Sequence, residues 1–273
     1  MSRYGRSVSA ETRKFTATKT WWILGIVLGL YAGMMTATFA FLFGSMADQL
    51  GEAGPGLGVQ ETADTVYSAI ATYGYVVPFL VGALSATGEL RHRTLALAFI
   101  AEPSRWIVLL GKVTTLIGMG ALLGMIGIIG GVGAGATTLA ATGGDAALGS
   151  SDTWALLARI IAAMAIWAVI GFGVGVLVRN QALAIVLALV FTQFLEPLLR
   201  AAASFWDWSA NVARFLPGSA TDTLVGASTM TLTSGSDGAV EPLSMGVGAL
   251  VLIAYAVIAV LAGWALRWNR DLT

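Results

Sequence analysis

One stretch of this chain gathers the side chains most able to do chemistry. Glu89, Arg91, His92, Arg93, Thr94, Arg105 and Lys112 stand between two long uncharged runs. Their types argue against catalysis by this chain alone. His92 is the single histidine and cysteine is absent. Thiolate metal ligands, cysteine nucleophiles and disulfides are thereby excluded, and His92 lacks the partners a metal site needs. Gly111-Lys112-Val113 lacks the upstream glycine and the hydroxyl residue of a nucleotide phosphate loop. Neither a His-Glu-x-x-His pair nor a Gly-x-Ser-x-Gly elbow occurs. No metal and no bound cofactor are expected. A charged, polar stretch of this kind suits docking of another molecule.

The elements that must position this stretch are read from composition. The chain has 273 residues, of which 57% are apolar and 11% charged. A soluble domain carries about 25% charged residues, so most of this surface does not face water. A net charge of zero gives no case for nucleic-acid binding. The uncharged runs are Thr20–Ala47, Thr65–Gly88, Val113–Gly144, Ile160–Val178, Asn180–Leu195 (extending past Glu196 to Leu199) and Pro242–Leu266. A spanning helix needs roughly 20 apolar residues. The expected fold is an all-α polytopic membrane protein, one transmembrane domain over 1–273 with six spanning helices. The first run exceeds the roughly 7–15 apolar residues of a signal-peptide core, so it is read as a span.

Orientation follows from the basic residues, which favour cytoplasmic loops. Arg3, Arg6, Arg13, Lys14 and Lys19, the loop from Arg91 to Lys112, Arg179, Arg267 and Arg270 fall on one side. The opposite loops are acidic, with Asp48, Glu52, Glu61, Asp145, Asp152, Asp207 and Asp237 among them. Both termini are expected in the cytoplasm and the chain in the plasma membrane.

Within residues 1–20, Ser9 can cap a helix, Glu11 favours its positive end, and Phe15 with Trp21-Trp22 suits the bilayer interface while Arg13, Lys14 and Lys19 reach headgroups. A short helix on the inner leaflet is one reading, and a solvated basic tail is the other. Gly120/Gly124, Gly127/Gly131/Gly135 and Gly171/Gly175 recur every four residues, which predicts close helix packing. Pro78 predicts a kink in the second span. Tyr75 and Phe79 share a face there, and Phe191, Gln193 and Phe194 follow in the fifth span. These five are candidate pathway residues for an amphipathic molecule, although aromatics of this kind more often pack against helices or lipid. Glu196 and Arg200, four apart, read as a pair near the outer interface. Without a charge at mid-span, ion-coupled transport is disfavoured. The segment 201–241 is too long for a simple turn. Phe205-Trp206-Asp207-Trp208 suits an interface, Phe215-Leu216-Pro217-Gly218 reads as a turn, and Thr229–Val240 as a loop.

The docking stretch also carries a resemblance. Glu89, Arg93-Thr94, Pro103 and Gly111-Lys112 resemble the type-two family of ABC transporter permeases, whose members show Glu, Gly-Thr, Pro and Lys in this loop. Thr87-Gly88-Glu89-Leu90-Arg91-His92-Arg93-Thr94, then Phe99-Ile100-Ala101-Glu102-Pro103-Ser104-Arg105, is most similar to an actinobacterial subgroup. Arg93 departs from the pattern, where glycine is common. Glu11-Thr12-Arg13-Lys14-Phe15 looks like the family's elbow helix on the inner leaflet. The resemblance implies a coupling helix within 89–105 that docks on a separate ATPase. Glu89, Arg91, His92, Arg93, Thr94, Phe99, Ile100, Pro103 and Arg105 would form that contact. It further implies a long outer segment between the last two spans, ATP and Mg held by the partner ATPase, and a second permease subunit, alike or different. The function implied is that of an exporter permease for an amphipathic drug, lipid or peptide. An ATP-independent channel or secondary transporter, or a non-transport membrane partner of an ATPase, are the alternatives.

Overall fold

The computed structural model describes residues 2–50, 57–92, 100, 102–178, 180–202, 207–228 and 243–268. Among them every regular element is helical: α1 Arg3–Ala17, α2 Thr20–Leu50, α3 Val59–Gly74, α4 Val76–His92, α5 Arg105–Ala141, α6 Ser151–Val178, α7 Gln181–Val190, α8 Glu196–Ala202, α9 Asp207–Ala213, α10 Pro217–Val225 and α11 Met245–Gly263. Six stretches are long and apolar enough to cross a membrane: Thr20–Ser45, Val59–Glu89, Arg105–Ala141, Ser151–Val178, Gln181–Ala202 and Met245–Leu266. The chain is a multi-pass membrane protein. In an 18-residue apolar stretch of each span, 67% and 72% of the residues are buried in the second and fourth, against 22% and 17% in the fifth and sixth, so α3–α4 and α6 form the centre.

The centre closes because glycine lets backbones touch. A Cβ on Gly171 would overlap the Phe79 carbonyl, and one on Gly175 would lie 2.7 Å from the Ala83 oxygen. The glycines of α5 divide between two faces. Gly120 and Gly124 meet α6, where a Cβ would come within 2.7 Å of Ala165 Cα and 3.1 Å of Ile161 Cα. Gly127, Gly131 and Gly135 meet α2 and α3, and Thr36 donates its hydroxyl across to the Gly131 carbonyl at 2.7 Å. Apolar tails supply no hydrophobic drive between spans, so this close contact and such cross-helix bonds hold the bundle.

Two prolines interrupt spans. The second span breaks between Gly74 and Val76. Gly74 is four residues before Pro78, whose ring crowds that carbonyl and offers it no N–H. In the fifth span, Phe191–Leu195 is a π turn in which the Glu196 N–H reaches back to the Phe191 carbonyl. Pro197 cannot donate to Gln193, and the widened turn relieves that position.

Two local expectations change. Ser9 lies inside α1, and the cap is Ser2, whose Oγ accepts the Gly5 N–H at 3.1 Å. The helix gains its first turns because Tyr4 and Ser7 find partners on α5. Phe215–Gly218 is no simple turn: Pro217 opens α10, which buries Ala220, Thr221, Asp222, Leu224 and Val225 and ends at Gly226 with φ 87°. Proline suits a first helical position and glycine the left-handed residue after the last. Thr229–Val240 lies outside the described residues.

Candidate functional site

α1 is an amphipathic helix whose one buried residue is an acid, Glu11. The reason lies on its neighbours. α1 lies along the first turns of α5: Tyr4 Oη and Thr114 Oγ1 are 2.6 Å apart, and Ser7 Oγ donates to the Ile107 carbonyl at 3.4 Å. Phe15 adds an apolar contact to two core clusters. Gly111 permits the approach, since a Cβ there would come within 3.0 Å of Ser7 Cβ. The next residue, Lys112, is 1% exposed. Its Nζ lies 2.7 Å from Glu11 Oε2 and 2.5 Å from Glu89 Oε1. Lys14 Nζ closes the set at 2.7 Å from Glu11 Oε1 and 3.1 Å from Glu89 Oε1. Two carboxylates and two ammonium groups balance, which burial requires. Burial pulls the Lys14 ammonium down, but the hydrogen bond to Glu11 and the charges of Glu89 and Glu11 hold it above the usual lysine value. At the rim, Arg3 Nε donates to Glu102 Oε2 at 3.2 Å and holds that carboxyl below the usual carboxylate range.

The cluster therefore joins α1, the last turn of α4 and the start of α5. Glu11, Lys14 and Glu89 converge in it, while Arg13 points outward and is exposed. Arg91 and His92 close α4, though their side chains are not described. Arg93, Thr94 and Phe99 lie outside the described residues. Ile100 is 78% exposed. Pro103 is exposed just before α5, and Arg105 sits partly buried in its first turn. Lys112 was visible in the sequence only as the end of a loop motif. Its distance from Glu11 along the chain hid the pair.

The five pathway candidates differ in burial. Tyr75 and Phe79 are buried against Trp167, Tyr75 stacked at 4.2 Å between ring centres and Phe79 edge-on at 6.0 Å. Phe191 is partly buried, Gln193 is exposed, and Phe194 is 72% exposed on the outside of the bundle.

A second ion cluster lies deeper, and sequence reading missed it. Glu196 is 1% exposed, not at a wet interface. Its Oε1 accepts from Arg200 Nη2 at 2.9 Å and from the Ser219 N–H at 3.1 Å. Arg200 Nη1 reaches Asp222 Oδ2 at 2.7 Å, Thr72 donates to Asp222 Oδ1 at 2.9 Å, and Ser228 donates to Oδ2 at 2.8 Å. The Glu-x-x-x-Arg spacing showed one pair, whereas Asp222 arrives from α10 and carries no spacing signal.

No protein-family model matches the chain, and a search of curated proteins finds no match either. The chain is a six-span helical membrane protein in which the described residues form a balanced ion cluster at the α1 end and another within the bundle.

Proposed function

We propose that this chain is the membrane-spanning permease subunit of an ATP-driven ABC exporter, embedded in the plasma membrane with both termini in the cytoplasm. A separate ATPase subunit binds ATP and Mg and docks on residues 89–105. Two permease subunits, alike or different, enclose the pathway, and the cargo is an amphipathic drug, lipid or peptide. This chain itself is no enzyme.

The observation that carries the reading is the meeting of Glu11, Glu89 and Lys112 in one buried cluster. A positive-inside bias asks only for surplus Lys and Arg. It asks neither for a buried lysine nor for two carboxylates upon it. A docking segment that moves spans needs its two roots tied together. Glu89 ends the second span, Lys112 lies two turns into the third, and Glu11 adds the interfacial helix, so a push on the segment acts on all three. Ile100, apolar and 78% exposed, supplies the segment with an anchor for a partner. A second reading, a gradient-driven carrier, draws on the buried Glu196–Arg200–Asp222 cluster, since ionisable groups within spans mark ion pathways.

The test is a mild-detergent pull-down of the tagged full chain from its native membrane, wild type against Ile100→Asp. That change sits on the surface and leaves the ion cluster whole. A soluble ATPase recovered with wild type and lost with the variant supports the reading. No ATPase beside well-folded wild type overturns it, and flux in sealed vesicles driven by an ion gradient alone then establishes the carrier.

A further inference from the structure

The cluster around Glu196 carries two carboxylates against one guanidinium. Counting Glu196, Asp222 and Arg200 as ionised leaves one negative charge in excess among residues that are nearly all enclosed: Glu196 is 1% and Asp222 9% exposed. From Gln181 to Glu196 the helix rises ~22 Å, inside the ~30 Å of a bilayer's hydrocarbon core. An uncompensated charge is costly there, and buried groups commonly neutralise instead.

The hydrogen bonds are unevenly shared. Both oxygens of Asp222 hold close donors, from Thr72, Arg200 and Ser228. Glu196 Oε1 holds two, Arg200 and the Ser219 N–H at the start of α10. Among the described residues, Glu196 Oε2 has only the Tyr75 hydroxyl, at 3.5 Å. That same hydroxyl lies 3.5 Å from the Thr192 carbonyl in the π turn. Tyr75 has one proton to give. If it goes to Thr192, Oε2 faces an acceptor and needs a proton of its own.

We propose that Glu196 is a proton-binding site: its Oε2 carries a proton that it donates to Tyr75 Oη, and Tyr75 in turn donates to the Thr192 carbonyl. The cluster is then neutral, and Glu196 Oε2, Tyr75 Oη and the Thr192 carbonyl are each paired. The groups facing Glu196 are Arg200 on its own helix, Asp222 of α10 and Tyr75 between α3 and α4. Tyr255 of α11 lies within electrostatic reach, with its hydroxyl on the Phe215 carbonyl. Trp167 of α6 is bonded to Thr221 and offers Glu196 nothing to titrate. Because the acceptor at the end of the chain belongs to the π turn, the proton is tied to the shape of the fifth span.

The full chain in lipid nanodiscs is examined by infrared difference spectroscopy across a pH titration. Wild type is expected to show a protonated-carboxyl band at neutral pH that is lost in Glu196→Gln, and in Asp222→Asn, where Glu196 and Arg200 balance, the band is expected to vanish or to titrate at lower pH. Tyr75→Phe keeps the ring on Trp167 and removes the hydroxyl that accepts from Glu196 and donates to Thr192, so the band is expected to shift and to titrate at lower pH. This variant decides the matter should Glu196→Gln not fold. Absence of the band from wild type at neutral pH, its persistence in Glu196→Gln, or an unmoved band in Tyr75→Phe overturns the proposal.

Discussion

Replacing Lys112 by Met removes the central cation of the cluster at the α1 end and little else, since the side chains are similar in length. Among the described residues, two carboxylates, Glu11 and Glu89, then share only Lys14, whose side chain is 46% exposed. The cluster passes from balanced to one net negative charge at a site where the Glu11 side chain is 5% and the Glu89 side chain 13% exposed. Removing one partner of a buried pair costs about 3–5 kcal/mol, mostly from the charge left behind. A tenfold change in equilibrium is ~1.4 kcal/mol, so docking of α1 should weaken by roughly two to three and a half decades. Hydrogen exchange of the α1 amides in nanodiscs reads that opening directly. Protection should fall by this amount, until the exchange of an undocked helix sets the limit. Adding Glu89→Gln removes the surplus charge and should restore most of the protection. The reasoning is refuted by a loss under about tenfold in Lys112→Met, or by a double variant no better than the single.

Other consequences follow from the same contacts. The Glu102 carboxyl is held low by Arg3, so its contribution to docking the start of α1 is present above the unfolded value and disappears as pH falls through the folded one. Protection at the first α1 amides, taken relative to the intrinsic exchange rate at each pH, should therefore fall on acidification, and Arg3→Ala should flatten that dependence. Lys14 acts with the opposite sign: its value is raised, so its share is complete below the ordinary lysine range and is lost as alkaline pH passes the folded value. Gly171→Ala drives a methyl into the Phe79 carbonyl and should cost about 1–3 kcal/mol, whereas Gly118→Ala, which meets nothing within 4 Å, should be neutral. Detergent-solubilised yield and thermal midpoints of the two variants provide the comparison. Thr221→Val strips the buried Trp167 Nε1 of its acceptor at 2.8 Å, a loss of about 1–3 kcal/mol readable in the same melting assay.

The spans were legible because a bilayer imposes a length and a polarity on each helix, and the residues that break those rules mark the ends. Glycine spacing was legible for the same local reason, although which neighbour each face of α5 meets was not. Pro78 announced a break that falls four residues earlier, at the carbonyl its ring crowds. The π turn before Pro197 left no such mark, since proline can also kink a helix or begin one. Phe215–Gly218 read as a turn because proline and glycine punctuate elements, and the threonines that follow are poor helix formers. Burial against α3, α6 and α11 overrides that preference.

Composition and periodicity alone determined that this is a six-span helical membrane protein, because the requirement to satisfy backbone polar groups in lipid acts on each segment independently of the others. The charged side chains are another matter. Glu11 looked like a helix-dipole residue, Glu89 and Lys112 like two ends of a loop motif, and Glu196 like a surface partner of Arg200. Only the tertiary structure joined Glu11, Glu89 and Lys112 in one buried set and brought Asp222 and Tyr75 onto Glu196. A charge pair is made by distance in space, and between elements far apart in the chain that distance is set by packing rather than by spacing.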